Sequence, residues 1–157
     1  MRMDFGLLLL RLLFGLAIAS HGAQKLFGWF GGNGIEGTAA FFAQLGYEPG
    51  ELFAVIAGLS EFVGGLLLAL GLFTPLGAAM VMGVMLNAVI VDWEKGFYMA
   101  FEKPALFGFA ALALAFTGPG RYSLDHGRRW EPSGIGWGFS ALALAVIAAL
   151  ITLLVRQ

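Results

Sequence analysis

Read only for apolar and polar positions, the chain alternates long greasy runs with short polar breaks. A bilayer core of about 30 Å asks for ~20 apolar residues per helix. Five segments approach that length: Phe5 to Phe27, Glu51 to Phe73, Pro75 to Trp93, Phe97 to Thr117 and Gly136 to Val155. Little more than FTPLG, residues 73–77, separates the second from the third. Pro75 stops one helix there and suits the first turn of the next, so the two read as a tight antiparallel hairpin. Between the first two spans, GGNG at 31–34 breaks the helix. GTAAFFAQLG at 37–46 then reads as a short amphipathic helix, greasy at Phe41, Phe42 and Leu45. Trp29, Phe30 and Tyr47 suit the headgroup layer. This loop is expected to lie on the membrane surface and cover one mouth of the bundle.

Composition agrees with the pattern. Of 157 residues, 59% are hydrophobic and 12% charged, where a soluble domain carries about a quarter charged. The fold class is therefore an all-α integral membrane protein. The tract AIAS, residues 17–20, resembles a signal cleavage site, but Arg11 inside the apolar run argues for a retained span. A net charge of −1 gives no reason to expect nucleic acid as a partner. Cysteine is absent, which removes thiolate catalysis and cysteine-held metals. The two histidines lie far apart in sequence and argue against a zinc or haem site. No motif for flavin, iron–sulfur or a nicotinamide cofactor is readable.

Orientation is weakly marked. Arg121, Arg128 and Arg129 fall on the same side as Arg2; Lys25, Lys95, Lys103 and Arg156 fall on the other. The arginine cluster and the acidic first long loop favour a cytoplasmic N-terminus by the positive-inside rule.

The polar residues inside the spans carry the chemistry: Arg11, His21, Lys25, Glu61, Asn87 and Glu102. A charge at the centre of a span costs roughly 2.5–3.5 kcal/mol, so most face a partner, a cavity or a substrate path. From the rise of ~1.5 Å per residue, Glu61 falls near the midplane. Arg11 lies close enough to predict a buried Arg11–Glu61 pair, direct or through one water. His21 and Lys25, four apart, share one helix face near its outer end. With Asn87 and Glu102 they converge on the outer half of the bundle. Blander readings stand beside these. The buried pair fixes helix register, Lys25 snorkels, Asn87 bonds across helices, and His21 and Glu102 meet headgroups or solvent. The small residues Ala57, Gly58, Ser60, Gly64 and Gly65 around Glu61 either let helices approach closely or leave a slot for a flat ligand.

Three stretches resemble the DoxX family. RLLFGLAIASHGAQKLFGWFGGNG carries its arginine, His-Gly and Gln-Lys-Leu-Phe-Gly elements. GLSEFVGGLLLALGLFTPLGA resembles an acid followed by a Gly-rich stretch and a Gly-Leu-Thr-Pro turn, here GLFTP. GFYMAFEKPALFGFAALALAFTGPGRYSLD matches the fourth helix and its Gly-Pro-Gly-Arg ending. The resemblance covers about residues 5–125. It implies a four-helix transmembrane domain at 1–125, followed here by a basic linker at 126–135 and an added transmembrane helix at 136–157. It also implies a bacterial or archaeal inner membrane. Family members are described as oxidoreductases tied to thiosulfate:quinone chemistry, to quinone or catechol resistance, or to redox-stress complexes. They are distantly similar to vitamin K epoxide reductase-like bundles. Without cysteine, a route through a protein thiol is excluded.

The resemblance thus implies a quinone-handling membrane protein, an oxidoreductase or the quinone-binding subunit of a redox complex. Its ligand is a quinone or small aromatic molecule, its surroundings are lipid, and its electrons come from a partner redox protein or bound substrate. Glu61, His21 and Glu102 are the candidate catalytic groups; Arg11, Lys25 and Asn87 are the candidate ligand-binding groups. A scaffold that docks partner proteins through loops such as GPGRYSLDHGRRWE is the alternative, and an exporter of small aromatic compounds is a third.

Overall fold

The structure, a computed structural model, describes residues 2–132 and 134–156. Helix α1 spans Arg2–Phe27, α2 Gly34–Gln44, α3 Gly50–Leu70, α4 Thr74–Val91, α5 Glu102–Thr117 and α6 Ile135–Leu154. A π-helical turn, Phe97–Phe101, leads into α5. Five segments are long and apolar enough to cross a membrane: α1, α3, α4, the run Phe97–Thr117 and α6. The described residues contain no strand. The expected spans and the short helix of the first long loop are all present, with ends displaced by a few residues.

Chain reversal between α3 and α4 follows from local chemistry. Gly71 takes the left-handed conformation at φ 62°, and Leu72 N–H donates to Leu67 O at 2.9 Å, closing α3 as a Schellman turn. Pro75 sits in the first turn of α4, where its missing N–H is harmless. The first N–H groups of α4 still need an acceptor. Asp125, from the loop after α5, supplies it: Phe73 N–H and Thr74 N–H donate to its carboxylate at 3.0 and 3.2 Å.

Helices α1 and α3 run antiparallel in backbone contact. A Cβ on Gly15 would lie 2.6 Å from Gly65 O, and a Cβ on Gly65 would lie 2.6 Å from Gly15 O. One heptad further along α1, Gly22 faces Gly58 and Phe62 in the same way. The register follows: moving forward along α1 means moving back along α3. Residue 21 is thus level with residue 61, and residue 11 with residue 71. On the other side of α3, Gly64 and Gly77 bring α4 close as well, a Cβ on either lying 3.0–3.1 Å from the other's carbonyl oxygen. The core is built from Ile18, Leu68, Val81, Met82, Met85 and Leu114, with alanines between them. Helix α6 belongs to this bundle, burying Ala141, Ala145 and Ala149.

Candidate functional site

One cavity of about 420 Å³ opens between the helices, with walls from all six of them. Its apolar lining is aromatic and soft: Phe41, Phe42, Phe53, Phe107, Met80 and Met85. The amphipathic helix α2 supplies Phe41 and Phe42, so it covers this mouth as expected.

Polar groups enter from two sides. Lys25 Nζ donates to Glu61 Oε2 at 2.5 Å, joining α1 to α3. The Glu61 side chain is 4% exposed and that of Lys25 28%. His21, level with Glu61, also lines the cavity, its ring edge-on to Phe107 at 5.8 Å between centroids. On the other side, Tyr47 Oη donates to Asn87 Oδ1 at 3.1 Å. Thr152 Oγ1 of α6 lies 3.1 Å from the same oxygen, sharing its one hydrogen with the carbonyls of Ala148 and Ala149. Asn87 Nδ2 donates to Gly83 O. Asn87 is thus both a cavity residue and an interhelical tie. Arg156 Nε donates to Leu45 O at 2.7 Å and stacks its guanidinium over the Tyr47 ring. Burial raises the pKa of the Tyr47 hydroxyl above the ordinary phenol value while Arg156 opposes it, so the group stays a donor.

Four of the six sequence-selected residues therefore gather at this cavity: His21, Lys25, Glu61 and Asn87. Arg11 and Glu102 do not line it. The expected Arg11–Glu61 pair is absent, because the α1–α3 register sets those residues at different depths. Glu61 pairs with Lys25 instead. Arg11 is 1% exposed, and its Nη2 donates to Tyr122 O at 2.6 Å near Gly71 and Ser123. It anchors the loop after α5 under the bundle. Glu102 is displaced by helix geometry: Lys103 and Phe107, four apart, take the cavity face of α5, and Glu102 falls on the next face. Tyr47 was expected among headgroups and is 3% exposed. The small residues divide between both expected uses. Gly58, Gly64 and Gly65 pack backbones together, while Ala57 and Ser60 line the slot.

Sequence reading missed Tyr47, Lys103 and Thr152 as cavity residues. Thr152 carried no signal beyond one hydroxyl in an apolar run. Lys103 stood next to the acid that drew attention.

Comparison with known proteins agrees with this bundle. The DoxX family profile matches residues 6–93. A Bacillus subtilis protein named "Putative oxidoreductase CatD" is 32% identical over 123 residues, 78% of this chain and 86% of that protein. The inner membrane protein YphA of Escherichia coli is 36% identical over 109 residues, 64% of this chain and 78% of YphA. The inner membrane protein YqjF of Escherichia coli is 29% identical over 133 residues, 81% of this chain and 96% of YqjF. No solved structure matches the chain. With the profile covering more than half its length and CatD matched across most of both chains, this five-span membrane protein belongs to the DoxX family.

Proposed function

We propose that the cavity binds the head of a quinone or a related small aromatic molecule, and that the protein handles it as a membrane oxidoreductase or as the quinone-binding subunit of a redox complex. The observation that carries this reading is the Lys25–Glu61 pair opening onto an aromatic-walled cavity inside a membrane bundle. A quinone head is flat and apolar with two carbonyl oxygens, so it suits walls of Phe and Met with few polar stations. Reduction places negative charge on those oxygens, which an ammonium group stabilises strongly in a site shielded from water. Lys25 and Lys103 both line the cavity, and Glu61 balances Lys25 before the ligand arrives. The name of the Bacillus subtilis relative CatD, an oxidoreductase, points in the same direction. Electrons would come from a partner redox protein or from a bound substrate. The arginine-rich loop after α5 supports a cytoplasmic N-terminus, which sets the cavity in the outer half of the membrane.

Equilibrium dialysis of detergent-purified protein against a decyl-substituted benzoquinone tests this. Glu61→Gln is expected to weaken binding about tenfold, the worth of a hydrogen bond to a charged group. Glu102→Gln, off the cavity, should leave it unchanged. Equal affinity of the Glu61 variant and the parent would overturn the reading.

A further inference from the structure

His21 has a fixed proton arrangement, and this selects what it can bind. The chain of reasoning starts at Phe30. Its carbonyl oxygen can only accept, and Gln24 Nε2 donates to it at 3.2 Å. That contact settles which way the Gln24 amide faces, so Gln24 Oε1 is the atom 3.0 Å from His21 Nδ1. An amide oxygen can only accept; His21 Nδ1 therefore carries the hydrogen. A neutral ring with its hydrogen on Nδ1 has a bare lone pair on Nε2.

The backbone is shaped to hold this relay. Phe30 sits at φ 54°, in the left-handed region that an aromatic residue rarely adopts. Gly28, at φ 70°, turns the chain just before it. Gly32 then passes so close to Gln24 that a Cβ would strike its backbone. Strain of this kind persists where the surroundings over-determine it. Here it presents one carbonyl to one amide. The other end of the ring has no protein partner among the described residues, and His21 faces the cavity beside Phe107.

We infer that His21 Nε2 is a hydrogen-bond acceptor for a phenolic hydroxyl, so the cavity prefers the hydroxylated, quinol-like form of its ligand over the carbonyl form. Gln24 is the positioning residue that sets this preference without touching the ligand. A quinol O–H donates to the free lone pair. A quinone carbonyl meets that lone pair with its own and gains nothing there. The inference rests on the quinone reading for its ligand class, and it adds the redox state that is bound.

The test uses full-length protein in nanodiscs, kept anaerobic, with a decyl-substituted benzoquinol and its matching benzoquinone as probes. The quinol should bind about fivefold more tightly, the worth of one neutral hydrogen bond. Gln24→Leu should abolish the difference. ¹⁵N spectra of histidine-labelled parent protein, with His126→Gln for assignment, should show His21 protonated at Nδ1. Quinone binding as tightly as quinol to the parent, or His21 protonated at Nε2, overturns the inference. Binding of neither probe overturns the quinone reading itself and takes the selectivity with it.

Discussion

Lys25 and Glu61 pose a problem common to buried ion pairs: each is tolerable only because of the other. Removing one partner leaves an uncompensated charge, which is strongly destabilising, whereas replacing both by apolar groups is often close to neutral. Glu61→Leu alone is therefore expected to cost about 3 kcal/mol of stability. The double variant Lys25→Met/Glu61→Leu should recover most of that loss while binding no quinone. Thermal unfolding in detergent, read as a double-mutant cycle, checks it. If the double variant is as unstable as the single one, the pair is not the reason for the loss. Asp125 allows a second test. It is fully buried and accepts from Phe73 N–H, Thr74 N–H and Trp130 Nε1. Asp125→Ala leaves those donors unpaired and is expected to lower stability by about 2 kcal/mol in the same assay. At this scale the polar residues of the spans were legible in the sequence, and whom they meet was not. Charges in a greasy span identify themselves. The Lys25–Glu61 pairing was hidden because it depends on how far α1 is shifted along α3. Asp125 looked like one more loop acid, since the backbone groups it caps lie 51 and 52 residues away.

Two elements carry the arrangement: the α1–α3 seam and the sixth helix. The seam depends on glycines spaced by seven on both helices, Gly15 with Gly22 and Gly58 with Gly65. In lipid, where burial of apolar groups drives little association, such close backbone packing is a main source of affinity between helices. Gly65→Ala is expected to lower the melting temperature by roughly 5 °C through overpacking. Gly6→Ala, where a Cβ meets nothing within 4 Å, should leave it unchanged or raise it. Equal effects of the two would mean that the seam is not close-packed in the membrane. The sixth helix lies beyond the matched profile, yet its Thr152, with Arg156 just after its end, ties down Asn87, Leu45 and Tyr47. These ties hold the end of the α2 loop over the cavity. Thr152→Val with Arg156→Ala is expected to raise amide exchange across Gly34–Tyr47 several-fold and leave α3 and α4 protected. Both helices were legible as hydrophobic runs of the right length. What α6 packs against was not, because a uniformly apolar helix has no marked face from which a neighbour can be read.

At the scale of the molecule the two ends of the bundle are unlike. One end gathers Arg2, the turn after α3 and the loop after α5 with Arg121, Arg128 and Arg129; buried Arg11 and Asp125 lock that loop against the helices. The other end holds α2, the loop at 92–96 and the last turn of α6, and the cavity lies toward it. One end is closed by the locked loop, and the cavity lies toward the other, under α2. Which leaflet supplies the ligand then depends only on orientation. Buried Arg11 aside, basic residues number the same at both ends, so a simple count decides nothing. The arginines differ in being clustered on one short loop, where translocation is most disfavoured. The sealed end is therefore expected in the cytoplasm. The chain contains no cysteine, so single cysteines report without background. Glu94→Cys, at the cavity end, should react in intact cells with a membrane-impermeant maleimide. Arg129→Cys should react only after permeabilisation. The reverse pattern would turn the cavity toward the cytoplasm, and its ligand would then have to be drawn from the inner leaflet.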